Sequence, residues 1–231
     1  QTAADAVNPY YDMFASHDPR SYSEVIMCRL FKDGVSTHHF NHYMYSGGNT
    51  GYTRQFEKTF LMKNGLPIYA AGSGYAGDDY IADTKKDRDE RWQLFMYAPG
   101  QAKAVENIST IEYFPDAPQV YKADSKNATS TGYIQGKGHS MDYSDQILGR
   151  DQTAFVVYRA AEAYLNYIEA SYELNGNIDS KADKYWRELR TRAGVDPDYN
   201  KTIAATDMQK EAENDWGAYS HGQIIDKTLY N

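Results

Sequence analysis

The chain has 231 residues, of which 41% are hydrophobic and 24% are charged, and its formal net charge is −8. This length allows one or two domains with a sizeable core. The acidic balance disfavours a nucleic-acid or anionic-lipid surface, because both partners require dense Lys and Arg. No stretch approaches the ~20 apolar residues of a membrane-spanning helix, and the single cysteine, Cys28, excludes an intrachain disulfide.

Tyrosine dominates the aromatic residues, with 22 Tyr against 8 Phe and 3 Trp. Phe fills a core without a hydroxyl that needs a partner, so an excess of Tyr favours wet, amphipathic surfaces such as binding clefts. A general preference for Tyr throughout this chain explains the count equally well.

The first 150 residues predict an irregular, loop-rich lobe that contains a few short strands. Glu24–Phe31 has the composition of a buried strand, residues 35–45 resemble strand or loop, and Trp92–Tyr97 predicts a short aromatic strand. Thr53–Met62 has a helical pattern that ends at Asn64-Gly65. Glycine- and serine-rich loops separate these elements, and we assign ligand binding to this lobe, residues 1–150.

Residues 151–231 predict a helical part with one tetratricopeptide-like helix pair. Two apolar stripes recur at the helical period, with the same internal spacing. They are Val157, Ala161, Tyr164, Leu165, Ile168 and Tyr172, followed by Ile178, Ala182, Tyr185, Trp186, Leu189 and Ala193. Asn175-Gly176-Asn177 separates the helices, and Gly194 ends the second one. One such pair cannot bury its own apolar faces, so either residues 1–150 cover it or its stacking neighbours lie outside this chain.

Three patterns that suggest a bound ion or cofactor are better explained by ordinary structure. His38, His39 and His42 are expected to face solvent or to form hydrogen bonds rather than a metal site, because no acidic residue lies among them. The G-x-G-x-x-G run at residues 72–77 is followed directly by two aspartates, which would repel a dinucleotide phosphate. Asp78, Asp79 and Asp83 lack the spacing of a dedicated calcium loop. We therefore expect no cofactor and no metal, although calcium at these aspartates stays open without the support of a motif.

Catalytic motifs are also missing from the sequence. It contains no nucleophile elbow, P-loop or zinc-protease helix, so we expect no catalytic residue and no enzyme activity. A glycoside hydrolase stays open as the less favoured alternative, because its two carboxylates can lie far apart in sequence.

Two consecutive segments of the helical part resemble the SusD/RagB family. Phe155–Ala170 is similar to the family helix that carries Y-R-x-A-E-x-Y-L-x-Y-x-E-A. The continuation from Gly176 to Gly194 is similar to the following helix, which ends in R-x-R-A-G.

Three upstream segments resemble the same family, in the same order. Thr59–Pro67 resembles its F-x-M-x-N/D-G-L-P-I stretch, and Lys86–Arg91 resembles its R-D-P-R segment, with Glu90 in the place of proline. Thr131-Gly132-Tyr133, with Lys137 four residues later, resembles T-G-Y-x-x-x-K. Five ordered matches between residues 59 and 194 are specific to this family.

The resemblance implies a mainly α, SusD-like fold and a chain that is the C-terminal half of such a protein, truncated at both ends. It implies an oligosaccharide-binding lipoprotein of nutrient uptake, exposed on the outer membrane of a Bacteroidota-type bacterium. Its partner would be a SusC-like TonB-dependent transporter, and its lipid anchor would precede the present chain. Relatives that bind peptides or sialic acid, and a helical protein-interaction scaffold, are the alternatives.

The resemblance gives no residue-level ligand site, so chemistry selects one. A glycan platform requires aromatic rings on loops, hydrogen-bonding groups and glycines that let the backbone approach. The segment 43–52 meets these requirements, with Tyr43 and Tyr45 on one strand face, Asn49 as donor and acceptor, and Tyr52 at its end. Tyr75, in the second glycine-rich loop, is the fifth candidate.

Overall fold

The chain folds mainly into short helices joined by irregular segments. The computed structural model describes residues 9–46, 51–107, 110–114, 119–120, 128–213 and 215–231. Within them the helices are α1 (Pro9–Ala15), α2 (Phe40–Ser46), α3 (Arg54–Lys58), α4 (Ile81–Lys85), α5 (Glu90–Phe95), α6 (Ala160–Asn175), α7 (Ser180–Arg192), α8 (Tyr199–Ala205), α9 (Met208–Ala212) and α10 (Lys227–Tyr230). Single 3₁₀ turns cover Pro19–Ser21, Tyr143–Gln146 and Trp216–Ala218.

The strands are short and pair only two at a time in the part of the chain that the structure describes. They are β1 (Val25–Arg29), β2 (Met96–Tyr97), β3 (Ala102–Asn107), β4 (Thr110–Tyr113), β5 (Gln119–Val120), β6 (Ala128–Thr129), β7 (Ile134–Gln135), β8 (Phe155–Arg159), β9 (Tyr219–Ser220) and β10 (Gln223–Ile224). The pairs are β1–β8, β2–β7, β3–β4 and β9–β10, all antiparallel, and the parallel pair β5–β6. The predicted mainly α fold with few short strands is confirmed.

By packing, the chain forms two compact units that interleave along the sequence. The first unit comprises Gln1–Thr53 and Gln93–Ala160, and the second comprises Arg54–Trp92 and Ala161–Asn231. Residues 54–92 thus pack with the C-terminal helices. The assignment of ligand binding to a lobe of residues 1–150, apart from a helical part of residues 151–231, stays a prediction.

The helix pair of the second unit is formed by α6 and α7. Asp179 caps α7 by accepting the N–H groups of Lys181 and Ala182 at 2.9 and 2.8 Å, and Gly176 takes a positive φ of 67° in the connection. Between the helices the Tyr164 and Tyr185 rings stack at 3.9 Å. The core of the pair consists of Ile168, Ala182, Trp186 and Tyr199, with Tyr167, Ile178, Tyr185, Leu189 and Ile203 packed against it.

The start of the first helix and one residue of its stripe were predicted wrongly. Residues 155–159 are strand β8, because this β-branched and aromatic run pairs with β1, and the helix begins at Ala160, whose N–H donates to the Glu24 carbonyl at 2.8 Å. Val157 is therefore outside the helix. Leu165 is 53% exposed, so it lies beside the buried stripe and not in it.

Three further elements differ from the sequence prediction. β1 is a strand as predicted, but it is not buried, since Ile26 is 63% exposed in a ribbon with β8 alone. Residues 90–95 are helix α5 and not strand, because Asp89 accepts the Arg91 N–H at 2.8 Å and starts a helical turn. Trp92, on this helix, is fully buried. The helix predicted over Thr53–Met62 is limited to α3.

Candidate functional site

Tyr43 and Tyr45, the proposed double platform, lie on helix α2. Because both residues are helical, the strand predicted to carry them is wrong. The helix forms because Asn41 and Met44, three residues apart, are both buried. Tyr43 is 56% exposed, and the rings of His39 and His42 lie against it at 6.4 and 5.9 Å. A role of these tyrosines in ligand binding stays a prediction.

The three histidines of this region all make structural hydrogen bonds, as predicted. His38 and His42 donate to the carbonyl groups of Thr153 and Gln146 at 2.7 and 3.0 Å, and His39 accepts the Gly149 N–H at 3.1 Å. Among the described residues no group of three or more His, Cys, Asp or Glu side chains has the arrangement of a metal site.

The next two candidates along the chain are Asn49 and Tyr52. Asn49 falls outside the described residues. The Tyr52 N–H donates to the Tyr133 carbonyl at 3.0 Å. Burial raises the pKa of the Tyr52 hydroxyl to about 12, although hydrogen bonds with the Lys137 and Gly136 backbone oppose that rise. Tyr52 is thus held by the backbone around it, and its part in ligand binding is still a prediction.

Tyr75, the fifth candidate, lies in the second unit and packs on Arg88. Its ring is 5.2 Å from the Arg88 guanidinium, and its hydroxyl donates to Asp78. Burial and this bond to Asp78 raise its pKa to about 12. Both the face and the hydroxyl of Tyr75 therefore have partners within the protein, while its predicted contact with ligand has not been tested.

Arg88 clamps the end of α3 from within the second unit. Its guanidinium is fully buried and donates to the Glu57 carboxylate at 2.6 Å. It also donates to the carbonyl groups of Glu57 and Phe60 at 2.8 and 2.7 Å, which lie at the carboxyl end of the helix. A cation that satisfies terminal carbonyls fixes the position of a short helix. Arg88 thereby positions the residues of α3 that face a cleft.

This cleft has a volume of about 330 Å³ and lies entirely within the second unit. A space of this size holds one or a few sugar rings. Its walls come from α3, from the segment that follows Pro67, from α9 with the residues after it, and from α10. The lining residues are Gln55, Lys58, Thr59, Ile68, Tyr69, Lys210, Glu211, Glu213, Asp215 and Tyr230.

Two tyrosines and two carboxylates form a connected hydrogen-bond network in the cleft. The Tyr69 hydroxyl donates to Glu211 Oε1 at 2.6 Å and accepts the Asp207 N–H at 3.0 Å. The Tyr230 hydroxyl lies 2.9 Å from Glu211 Oε2 and 2.9 Å from Asp215 Oδ2. The Gln55 amide donates to Asp215 Oδ1 at 2.9 Å. The network fixes the position of every oxygen that it joins.

The phenols of the cleft stay protonated at neutral pH. Burial, together with the adjacent Glu211, raises the pKa of both Tyr69 and Tyr230 well above the usual value for tyrosine. The Lys210 ammonium lies 5.1 Å from the Tyr69 ring centre, as in a cation–π contact. The cleft therefore combines aromatic faces, fixed acceptors and cationic donors, which is the chemistry that recognises a polyol.

Sequence reasoning missed this cleft. Tyr69 and Tyr230 are 161 positions apart, and neither belongs to a glycine-rich loop or to a local motif. The excess of tyrosine was the one signal in the sequence for an aromatic cleft, and it does not show which tyrosines line that cleft. The family-like segment that ends at Pro67 leads directly into Ile68 and Tyr69.

Comparison with known proteins gives consistent results. The family model of the SusD family matches residues 23–216. A SusD-like protein from Bacteroides fragilis NCTC 9343 has a similar fold, with a TM-score of 0.57 and 17% identity over 98% of this chain and 46% of its own. Surface glycan-binding protein A from Bacteroides uniformis matches with a TM-score of 0.40 and 15% identity, over 90% of this chain and 37% of its own. No curated protein matches.

The match in fold rests on the first of these structures, of which this chain spans about half the length. No helix in the described part of the chain combines the length and the apolar character needed to cross a bilayer.

Proposed function

The chain belongs to the SusD family, and from that premise we propose that it is a glycan-binding protein of bacterial nutrient uptake. The observation that carries this proposal is the cleft of the second unit, where two fixed tyrosines stand beside carboxylates and lysines. Sugars bind to proteins through ring stacking on aromatic faces and through hydroxyl hydrogen bonds to fixed polar groups, and the cleft offers both.

The finer parts of the proposal follow from the family resemblance. The protein passes an oligosaccharide to a TonB-dependent transporter at the outer membrane of a Bacteroidota-type bacterium. A lipid anchor in a longer form of the protein holds it at the cell surface.

Binding without catalysis is the function that we propose for the carboxylate pair. A glycosidase requires one carboxyl group to act as acid while the other attacks or activates water. Here Glu211 and Asp215 both lie 2.9 Å from the same tyrosine hydroxyl. Both groups are therefore engaged with the same hydroxyl, and neither is placed opposite the other across a space for the scissile bond.

Affinity electrophoresis of the whole chain in gels that contain α-glucan, xylan, mannan, arabinan or pectin tests this function. We expect slower migration with at least one polysaccharide, and a Kd between about 1 mM and 1 μM for its oligosaccharides in calorimetry. Unchanged oligosaccharide length after overnight incubation is the result expected of a binding protein, and shorter products would identify a hydrolase. Folded protein that no polysaccharide retards, and that binds peptides instead, would contradict the proposal.

A co-purification experiment tests the partner. The tagged protein is expressed together with a TonB-dependent transporter from the same bacterium, and detergent extracts are passed over an affinity column. Retention of the transporter by the tagged protein, and not by the tag alone, is expected. If the transporter is instead lost in the wash, the proposed partner is wrong, while the proposed glycan binding is unaffected.

A further inference from the structure

The hydrogen-bond network of the cleft has one donor hydrogen fewer than its acceptors require. The Tyr230 hydroxyl carries a single hydrogen, yet carboxylate oxygens of both Glu211 and Asp215 lie 2.9 Å from it. It can donate to only one of them at a time. The other oxygen then faces a hydroxyl lone pair, which is an unfavourable contact between two acceptors.

Two further side-chain donors near this pair are already committed. The Tyr69 hydroxyl serves Glu211 Oε1, and the Gln55 amide serves Asp215 Oδ1. Asp215 Oδ1 also accepts the Gly217 N–H at 2.8 Å, so Asp215 Oδ2 and Glu211 Oε2 are the two oxygens that share the Tyr230 hydroxyl. The pair therefore has spare acceptor capacity inside a cleft whose donors are fixed.

A ligand that donates hydroxyl hydrogens satisfies this shortage. A neutral sugar brings several hydroxyl groups on one rigid ring, and each is a donor as well as an acceptor. Its apolar C–H face can lie on Tyr69 or Tyr230 while its hydroxyls reach the carboxylates. Hydrogen bonds to ionised acceptors are about twice as strong as those between neutral groups.

A sugar acid has the opposite chemistry. Its carboxylate brings two more acceptors and a negative charge into a cleft that already has three carboxylates, Glu211, Glu213 and Asp215, against two lysines. Like charges brought together out of water cost binding free energy unless each is paired.

We propose that the cleft is a subsite for a neutral glycosyl unit, whose hydroxyls donate to Glu211 and Asp215, and that it selects against uronic and sialic acids. This proposal rests on the proposed function, and it identifies both the site and the class of sugar. It places ligand recognition on residues of the second unit.

Matched neutral and acidic probes test the selectivity. Calorimetry of the whole chain compares maltotriose, cellotriose and galactotriose with trigalacturonic acid, and lactose with 3′-sialyllactose. We expect the neutral probes as a class to contain the best ligand, and that ligand to bind at least about tenfold more tightly than any acidic probe. Equal or tighter binding of an acidic probe would overturn the selectivity.

Two variants test the site with the best neutral probe. Glu211→Gln supplies an amide donor within the protein, so the cleft no longer needs one from the ligand, and affinity falls about tenfold. Tyr230→Phe removes the shared hydroxyl and weakens binding to a similar extent. The matched controls are Glu188→Gln, on the exposed face of α7, and Tyr167→Phe, whose hydroxyl donates to Asp179 at 3.0 Å outside the cleft.

The outcomes separate the two proposals. If the neutral sugar binds the two cleft variants as well as it binds the two controls, the cleft is not the binding site, while the proposed glycan binding itself would stand. Failure of the folded chain to bind any sugar, neutral or acidic, would overturn both. Circular dichroism and thermal melting of each variant confirm that a loss of affinity is not a loss of fold.

Discussion

The two units of this chain are stabilised by different means. The second unit packs an apolar stripe, with Ile168, Ala182 and Trp186 buried on adjacent helices. The first unit buries aromatic side chains such as Tyr97 and Phe114, and it also joins distant segments through buried polar side chains. Asp151 accepts the Asn41 backbone N–H at 2.7 Å across 110 positions, and the Asn41 side chain in turn accepts the Ser140 N–H at 2.7 Å.

This difference determines what each unit can use as a binding surface. In the first unit buried polar groups join the loops, while large apolar side chains such as Ile26 and Val157 stay exposed on the β1–β8 ribbon. In the second unit the apolar residues are used in the helix core, and polar and aromatic side chains line the cleft. A fixed polar cleft requires a rigid scaffold behind it, and the helix pair and the Arg88 clamp provide one.

The largest expected effect tests the one strongly buried ion pair of the second unit. Arg88→Met removes the fully buried partner of the Glu57 carboxylate, which keeps its ion pair with the partly exposed Arg54, so the expected cost is about 3 kcal/mol of unfolding free energy. Urea denaturation measures the change. Arg187→Met is the matched control, because Arg187 pairs with Asp183 at the surface at 2.9 Å and its loss should cost less than about 1 kcal/mol. If the two substitutions lower the unfolding free energy equally, Arg88 does not hold the end of α3 in place.

A second pair of substitutions compares two neighbours on α6. Ile168 is 8% exposed and Leu165 is 53% exposed. Ile168→Ala should therefore cost about 2–5 kcal/mol, and Leu165→Ala about 0.5 kcal/mol or less. The ratio of the two costs in urea denaturation matters more than either value. A cost for Leu165→Ala that matches that of Ile168→Ala would mean that Leu165 is covered in solution.

The helix pair could be predicted from sequence because its signals are local. The period of the second stripe, the glycines at 176 and 194 and the polar residues between the helices all act within a few positions. The predicted first helix extends too far toward the N-terminus because Val156 and Val157, over so short a run, fit a helical period as well as a strand period. Only the pairing with β1, about 130 positions away, decides for strand.

The cleft and the first unit could not be predicted because their determinants are distant in sequence. Helix α2 looked like strand or loop, since the burial of Asn41 depends on Asp151 and Ser140, which no local pattern connects with it. Likewise Glu211 gains its role from Tyr69, 142 positions away. Residue chemistry favoured tyrosines as a class, yet it could not select Tyr69 or Tyr230 among 22.

A smaller effect concerns the pH dependence of the first unit. Burial lowers the pKa of His139 from 6.5 to about 3. Below pH 6.5 the unfolded chain therefore binds a proton that the folded chain does not, and stability falls as the pH drops toward 3. Between pH 6.5 and 5 the loss from this group is about 2 kcal/mol.

The pH effect is measured as urea midpoints from pH 7 to 5 for the wild type and His139→Gln. The variant should lose this part of the pH dependence, while the dependence that arises from other groups remains in both proteins. Parallel curves for the two proteins would mean that His139 is protonated in the folded state.

The smallest effect on stability is expected at Trp216, the most exposed tryptophan of the chain. Trp216 is 86% exposed, whereas Trp92 and Trp186 are 0% and 6% exposed. Acrylamide should therefore quench the fluorescence of one tryptophan in three, and Trp216→Phe should abolish that quenching while changing the unfolding free energy by no more than about 0.5 kcal/mol. Trp216 directly follows Asp215, which lines the cleft and caps the 3₁₀ turn that holds the indole. A neutral sugar that contacts this carboxylate should for that reason alter the quenching of Trp216. The fluorescence of the two buried tryptophans should stay constant. A quenching curve that no bound sugar changes would show that Trp216 is independent of the cleft.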